Sequence, residues 1–484
     1  MPEIAFGPYE PDIASVGTAK SSYVKNVVPR ADGWGPIASL SASTSAMGGY
    51  CRGVTGAVQL DNSTAIFGGN DSKLFKVDPT ARTWVDVSKG GGYSVSTKEL
   101  WDFAQFGNGV VAVTNNIAPQ VYTLGSSTAF ADLAGSPPQA RRVSVVGDFV
   151  VLSGLSANPN RIQWSSINNS AEWIPGTNQG DYNDFPDGGY VQGIAGGEIG
   201  LVFQDRAIRR MIYVGPPLIF QFQRISEDRG VLMRYSIAKS GGLTFFLSND
   251  GFCMIDRGGS LTPIGAKRVD RTILAAADLT DPRYMQAVSD PVSKRVHWFY
   301  KSVASSNPNV LDKEIVYDWS LDRWSQADAN VAGAASVIPF GPTLESLDAI
   351  GNLDALPYSL DSYTSTYASS LAMMDSGNRL GFRTGSSLEA TLDTPEGMIG
   401  NGVRTYINGA QPIGDASGAL VSCRSRDRLF DTYIESVETP IGVRGYATFR
   451  ANGRFNTIRT RIPAGAQWSY MRSVDVDSKK AGMR

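Results

Sequence analysis

The sequence is poor in the residues that build most catalytic and metal sites. Among 484 residues there is one histidine, His297. A Ser-His-Asp triad, a Cys-His pair or a multi-histidine metal centre would each depend on this single imidazole. His297 lies in a run of strand-forming residues, Arg295–Tyr300, where we expect it to pack against its neighbours. We therefore predict that the protein is not an enzyme and holds no cofactor and no metal ion.

Cysteine and long apolar runs are also scarce. Cys51, Cys253 and Cys423 lie far apart, without a CxxC spacing, so we expect three buried thiols rather than disulfides. No apolar run approaches the roughly 20 residues that cross a bilayer. The N-terminus lacks the basic-then-apolar pattern of a secretory signal. These absences predict a chain that is made in a cytoplasm and has no membrane span.

Composition favours a folded, turn-rich protein. The formal net charge is −2, which gives no global argument for binding nucleic acid or a membrane. Hydrophobic residues make up 42%, enough for a sizeable core. The 52 glycines and 25 prolines are spread along the chain, as expected for many short strands joined by tight turns. The length allows two or three domains, or one large all-β body with additions.

Strand–turn–strand patterns recur through the first two thirds of the chain. Each is a β-branched or aromatic run interrupted by a polar turn, which is the signature of a hairpin. The hairpins begin 38 to 52 residues apart, close to the roughly 40–50 residues of a four-stranded propeller blade. We predict an all-β fold with a β-propeller of six blades, or seven if residues 52–60 close the ring with a distant strand. The six hairpins span 64–77, 110–122, 148–164, 200–213, 243–255 and 295–317.

Two of these hairpins end alike. Val77-Asp78 is followed after five residues by Trp84, and Tyr317-Asp318 is followed at the same distance by Trp324. An aromatic residue at a fixed distance after a strand is a feature of propeller blades, which use it to pack against their neighbours. Two ordinary strand–turn–strand units remain the alternative interpretation.

The pattern changes after about residue 340. We divide the chain into an N-terminal arm (1–20), the propeller (21–340), an acidic connecting segment (341–403) and a basic domain (404–484). Residues 343–403 carry eight acids and two arginines, whereas 404–484 carries thirteen basic residues and seven acids. Strand-like alternation in the last part, with Ile458, Thr460 and Ile462 opposite Arg459 and Arg461, predicts a β-sandwich-like C-terminal domain.

The acidic segment contains a candidate assembly interface. Asp354, Leu356, Tyr358 and Asp361 bring acidic and apolar groups together between two domains. A docking loop and a plain interdomain linker fit this pattern equally well. The basic domain likewise allows two interpretations, contact with DNA or an acidic partner, and a solvated sandwich face.

Other candidate sites fail on spacing. Asp181, Asp184 and Asp187 resemble a calcium loop, but their spacing does not match the EF-hand pattern, which favours a solvated loop. The glycine-rich stretch 89–92 lacks the Gly-Lys-Ser/Thr ending of a phosphate-binding loop. No pair of carboxylates stands out as a glycosidase site.

Several short segments resemble known proteins in their order along the chain. These are the opening segment 24–34, the run from Asn160 to Phe203 with its Arg-Ile-Gln-Trp-Ser strand and Asp-Gly turn, residues 229–238, the segment 353–362, and the ending 453–477. The first three, and the order of features as a whole, are similar to the hub or nozzle proteins of bacteriophage tails, in particular the packaged-DNA stabilisation proteins of short-tailed phages. The last two are similar to segments of tail-completion proteins of phages that infect α-proteobacteria. The similarity covers most of the chain but rests on short words rather than on an active-site motif.

This resemblance implies a structural virion protein of the tail, made in the cytoplasm of the bacterial host. Members of the family form a homohexameric ring below the portal and adaptor, extend the DNA channel, retain packaged DNA and pass it on during ejection. Their fold is a β-propeller with attached β-domains. The implied partners are other copies of the chain, portal and adaptor proteins, tail fibre, needle or other tail proteins, and viral double-stranded DNA.

Two alternatives come from other classes. A carbohydrate-binding or glycan-cleaving propeller, as in a receptor-binding tail component, would need carboxylates and aromatic residues clustered in a central pocket. A kelch-like interaction propeller would be a monomer with a partner-binding rim.

Overall fold

The structure, a computed structural model, describes residues 3–59, 63–340, 369–400 and 402–480. The predicted all-β propeller fold is confirmed. The helices of the described residues are short: Asp270–Ala276 and the two 3₁₀ turns Arg234–Ser236 and Pro282–Tyr284. The strands form a ring of four-stranded antiparallel blades and, beside it, a two-sheet sandwich.

Blades 1 to 5 each consist of four consecutive strands. Each of the first five predicted hairpins supplies the second and third strands of one blade. The strands are Val54–Val58, Thr64–Gly69, Leu74–Val77 and Trp84–Asp86 in blade 1; Asp102–Phe106, Gly109–Thr114, Ile117–Thr123 and Ala131–Asp132 in blade 2; Ala140–Val146, Phe149–Leu155, Arg161–Trp164 and Asp181–Asp184 in blade 3; Val191–Ala195, Gly200–Gln204, Ile208–Gly215 and Ile219–Ser226 in blade 4; and Ala238–Ser240, Leu243–Ser248, Gly251–Ile255 and Leu261–Pro263 in blade 5.

Blades 6 and 7 share one long strand, Arg323–Val337. Its first part pairs with Leu311–Asp318 and forms the outer edge of blade 6, and residues 331–337 pair with Ser370–Asp375 and begin blade 7. This second part lies beside the first strand of blade 1, where Gly56 packs against Val337. The remaining strands are Met285–Asp290 and Arg295–Tyr300 in blade 6, and Arg379–Phe382 and Ser41–Ala46 in blade 7.

The described residues therefore form seven blades, and the strand that closes the ring differs from the one that the sequence indicates. Residues 54–58 pair locally with Thr64–Gly69 as the first strand of blade 1. Closure comes from Ser41–Ala46, which pairs with Arg379–Phe382 as the outermost strand of blade 7. The prediction that residues 52–60 close the ring was wrong. The physical reason is that residues 54–58 pair with the strand that follows them in sequence, and the Gln59 N–H donates to the Ser63 carbonyl at the end of this pair.

Apolar seams between blades hold the ring together. Successive residues of a strand point to opposite faces, and both faces of every blade are covered, so the second strand of each blade is a continuous apolar run. One residue of each adjacent pair packs in the seam on one side of its blade, and its neighbour packs in the seam on the other. In blade order the pairs are Ile66/Phe67, Val110/Val111, Val151/Leu152, Val202/Phe203, Phe245/Phe246, Trp298/Phe299 and Met373/Met374.

The two similar hairpin ends adopt the same local structure. Val77 is opposite Trp84 in blade 1, and Tyr317 is opposite Trp324 in blade 6. The aspartate that follows each strand accepts hydrogen bonds from two peptide N–H groups of the turn, as short polar side chains do at turns. Trp324 is buried, whereas Trp84 is only partly buried.

The sandwich is assembled from both ends of the chain. One sheet contains Glu3–Ala5, Val27–Arg30, Gly33–Pro36, Thr405–Gly414, Ala447–Gly453 and Met471–Lys480. The other contains Val24–Lys25, Ala390–Asp393, Leu420–Arg426, Ile434–Glu435, Thr439–Pro440 and Phe455–Ile462.

The structural units differ from the division into 1–20, 21–340, 341–403 and 404–484. Residues 3–36 belong to the sandwich, and the described part of 341–403 contributes strands to both blade 7 and the sandwich. The apolar core of the sandwich continues into the seam between blades 5 and 6. Long-range pairing of the two chain ends is invisible to an argument based on local patterns.

All three cysteines are buried and free. In the described parts of the chain, no helix has the length and apolar character needed to cross a membrane.

Candidate functional site

Side chains and loops from three blades close one mouth of the propeller axis. The peptide N–H of Leu100, before blade 2, donates to the hydroxyl of Tyr235, before blade 5, at 3.2 Å. The Arg142 guanidinium of blade 3 lies 5.3 Å from the centre of that tyrosine ring. Blades 2 and 5 stand on opposite sides of the ring, so the Leu100–Tyr235 hydrogen bond spans the axis.

Ion pairs reinforce this closure. Arg141 donates to Glu99 at 3.0 Å, and Arg142 lies 3.3 Å from Asp102. Burial raises the pKa of Tyr235 to about 12, so its hydroxyl is neutral and accepts from the Leu100 N–H. Burial also raises the pKa of Asp102, although Arg142 opposes this shift. The remaining cavity is about 170 Å³. Hydrogen bonds and ion pairs therefore join the blades at this mouth, which is not an open passage.

The single histidine lies in a buried cluster between blades 6 and 7. His297 Nδ1 is 2.6 Å from Oε1 of Glu314, and Arg383 bonds the other carboxylate oxygen. Burial disfavours the charged carboxylate, but Arg383 and His297 outweigh it and keep the pKa of Glu314 below its usual range. His297 Nε2 has no hydrogen-bond partner among the described residues and borders a cavity of about 480 Å³. The cluster joins the two blades through charge.

Two of the three calcium-like aspartates, Asp184 and Asp187, are engaged by arginines. Asp184 forms a bidentate pair with Arg161 at 2.6 and 2.7 Å, and Asp187 bonds Arg209 and Arg224. Their charge is therefore compensated by neighbouring strands. Across the described ranges, no three acidic, histidine or cysteine side chains converge as a metal ion would require.

Six of the ten described arginines of the basic domain pair with acids of the same chain. Ile458, Thr460 and Ile462 are buried, and Arg459 and Arg461 lie on the outer face, as the alternation predicts. Arg459 forms a bidentate pair with Asp393, with both distances 2.7 Å. Three further arginines of this face are paired in the same way. Their pairs are Arg461 with Glu389 and Glu438, Arg426 with Glu396, and Arg424 with Glu435.

These contacts form a closed charge network, which we call the ion-paired face. Three of its acids, Glu389, Asp393 and Glu396, come from the acidic segment 341–403. The described part of that segment therefore supplies counter-charges to the arginines of this face within one chain. It leaves few free charges on this face for a partner.

An exposed apolar segment follows the ion-paired face at the edge of the same sheet. We call residues 429–443 the apolar ribbon. Its short strands Ile434–Glu435 and Thr439–Pro440 pair with Leu420–Arg426. Phe430 is 78% exposed and Val437 is 82% exposed, so these side chains face solvent in the isolated chain. The large exposed apolar residues of the ribbon are Leu429, Phe430, Tyr433, Ile434, Val437 and Val443.

An ion pair between Arg426 and Glu396 lies against the first part of the ribbon. The Arg426 guanidinium lies 4.5 Å from the centre of the Tyr433 ring and is bound to Glu396. It also bonds the Leu429 carbonyl oxygen. A largely buried ion pair therefore lies against the first part of the ribbon, at Leu429 and Tyr433. Contiguous exposed apolar groups of this kind mark interaction surfaces in soluble proteins.

The sequence singles out other residues for assembly. Asp354, Leu356, Tyr358 and Asp361 lie outside the described residues, and their role stays a prediction. The apolar ribbon was missed because its apolar residues do not alternate as a strand would. The available signal was the density of large apolar residues in 429–437, within a basic domain.

Comparison with known proteins finds distant structural similarities and no family. No protein-family model and no curated protein matches the chain. Among solved structures, the chain is similar to the Pan2 WD40 domain of Neurospora crassa, with 9% identity, a TM-score of 0.39, and coverage of 63% of this chain and 90% of that one. It is also similar to BamB from Moraxella catarrhalis, with 10% identity, a TM-score of 0.30, and coverage of 62% and 92%. The computationally designed Ika8 protein is 12% identical, with a TM-score of 0.34 and coverage of 72% and 98%.

Proposed function

We propose that this chain is a structural subunit of a bacteriophage tail hub. In this role it assembles as a homohexameric ring below the portal and adaptor and extends the DNA channel. The ring retains packaged DNA and passes it on during ejection. The subunit acts as a scaffold in the virion tail and performs no catalysis.

The apolar ribbon is the observation that carries this proposal. A folded, charge-compensated chain that still exposes Phe430 and Val437 at one edge is suited to a larger assembly. The order of short sequence words that resembles tail hub proteins indicates which kind of assembly.

The closed propeller axis supports the same arrangement. Leu100 and Tyr235 meet across the axis, so a duplex does not pass through a single subunit at that mouth. In a hub, the DNA channel runs between the subunits of the ring. The paired arginines also fit this role, because a lining with few free cations releases few counterions and holds DNA weakly.

The carbohydrate alternative has less support. It needs free carboxylates in the central pocket, whereas Glu99 and Asp102 at the axis mouth are both paired with arginines.

Native mass spectrometry tests the proposal. The purified chain is measured alone and after incubation with a portal–adaptor preparation. We expect a mass six times that of the 51.9-kDa chain, either alone or on the portal. A monomer that does not bind the portal–adaptor preparation, but binds or cleaves a bacterial glycan, would overturn the proposal in favour of the carbohydrate-binding alternative.

A further inference from the structure

A second exposed apolar surface lies on blades 3 and 4. The hairpin formed by Ile208–Gly215 and Ile219–Ser226 ends in an apolar tip, where Leu218 is 64% exposed. The Tyr213 hydroxyl donates to Oε1 of Gln179 at 2.7 Å, which ties the tip to the 171–180 loop of blade 3. Ile174 of that loop is exposed as well. We call the 171–182 segment and the 213–218 tip together the blade 3–4 surface.

The side chains that form no ion pair beside the two surfaces carry net charges of opposite sign. Residues 162–205 contain six acids and neither lysine nor arginine. Arginines from outside this stretch compensate several of these acids. Glu172 and Asp181, by contrast, form no ion pair within the described parts of the chain. Beside the ribbon, Arg428 and Arg444 also form none there, and they outnumber Asp431, the one acid of the ribbon without an ion pair among the described residues. Apolar surfaces with opposite uncompensated charges at their rims are complementary.

The topology separates the two surfaces within the subunit. The sandwich joins the propeller at blade 6, where the Asn26 N–H donates to the Gln326 carbonyl at 3.0 Å. In the sandwich sheet that contains the ribbon, Val24–Lys25 lies at the edge next to blade 6, and the ribbon strands lie at the opposite edge. Blade 3 is three blades away from blade 6, which is the largest separation that a ring of seven permits.

The ribbon is unsuited to pairing with another strand through its backbone. Its edge strands are only two residues long, and the second contains Pro440, which lacks an N–H. Short strands and proline at an edge prevent strand addition. The ribbon is therefore expected to contact a partner through its exposed side chains, and such a contact requires an apolar surface on the partner.

We propose that neighbouring copies meet head to tail, with the apolar ribbon of one copy seated on the blade 3–4 surface of the next. The inference rests on the proposed function, because it names the contact that joins the ring. Two different surfaces of one subunit make a heterologous contact, which generates a closed ring when the rotation closes.

Cross-linking of mixed subunits tests the pairing. Val437→Cys and Leu218→Cys are made as separate variants, mixed under the conditions in which the wild type assembles, and treated with a short bis-maleimide. The three native cysteines are buried and serve as an internal control in the wild type. We expect a covalent species of twice the chain mass in the mixture and none with either variant alone.

Each other result has a defined meaning. A covalent dimer of Val437→Cys alone would show that ribbon meets ribbon and would overturn the head-to-tail contact. A ring of normal mass without the mixed cross-link would overturn the contact and leave the proposed hub intact. A chain that forms no ring, even with the portal–adaptor preparation, would overturn both.

Charge reversal provides an independent arm. Arg428→Glu combined with Arg444→Glu should raise the dissociation constant between subunits about tenfold, and so should Glu172→Arg combined with Asp181→Arg. A chain with all four substitutions should recover most of the wild-type affinity. Failure of this recovery, with both pairs of single-sided variants weakened, would contradict the proposed register.

Discussion

The ion-paired face and the apolar ribbon belong to one sheet, but the charged side chains of the face are paired within the chain, whereas the apolar side chains of the ribbon are exposed. On the ion-paired face, Arg459 and Arg461 are matched by carboxylates from elsewhere in the chain. On the ribbon, Phe430 and Val437 have no apolar cover. The face that looked functional from its charge is complete within one subunit. The adjoining edge, which no block of like charge marks in the sequence, is the one whose apolar side chains lack a covering surface.

This difference shows why a count of charges is a weak guide to an interface. Six arginines of the stretch with six excess positive charges bind acids of the same chain, and three of those acids come from the stretch with six excess negative charges. Sequence-local charge blocks therefore cancel in part on folding. Exposed apolar area cannot cancel in this way, so it is the more reliable sign of a missing partner.

The largest expected effect comes from breaking the ion-paired face. Asp393→Ala leaves Arg459 and Arg424 beside an empty, buried site, and we expect the free energy of unfolding to fall by about 3–5 kcal/mol. Chemical denaturation measures this loss. The matched control, Asp427→Ala, removes the exposed partner of Arg404 and should cost less than about 1 kcal/mol. Equal losses in the two variants would erase the distinction between buried and exposed pairs.

A smaller effect is expected at the edge of this face. The hydrogen bonds from Arg461 hold the pKa of Glu438 below its usual range. This pair therefore stabilises the fold fully above the ordinary glutamate pKa, about 4.3, and loses its effect as the pH falls through the lower folded value.

Glu438→Gln tests this dependence. It should cost about 0.5–1 kcal/mol at pH 7, because Glu389 still holds Arg461. The difference from the wild type should shrink as the pH drops below about 4. A difference that stays constant from pH 7 to pH 3 would assign the effect to packing rather than to charge.

The smallest effect on folding is expected in the ribbon. Phe430→Ser removes a largely exposed ring, so the free energy of unfolding of the dissociated subunit should change by less than about 0.5 kcal/mol. The same variant should weaken the subunit contact clearly. A large loss of stability would show instead that Phe430 is part of the core.

Local patterns predicted the centre of the fold well and its closure poorly. Adjacent apolar pairs such as Val110/Val111 reveal strands buried on both faces, and a polar turn after each pair fixes the hairpin register. The shared strand Arg323–Val337 and the closing strand Ser41–Ala46 pair with residues far away in sequence. No short-range period encodes those pairings.

The candidate site was predictable only in part. The burial of His297 follows from its strand neighbours, but its contact with Arg383 depends on how blades 6 and 7 meet. The first part of the ribbon contacts the ion pair of Arg426 and Glu396. Those two residues are 30 positions apart, so only the folded chain brings them together.

The most direct test of the account is the native mass of two variants, measured where the wild type forms a ring. Val437→Asp places a charge in the ribbon, and Val303→Asp places one at a similarly exposed position, 65% accessible, in a loop of blade 6 outside both proposed surfaces. We predict a monomer for Val437→Asp and the wild-type mass for Val303→Asp. A ring of wild-type mass from both variants would contradict the assignment of the ribbon as the subunit contact.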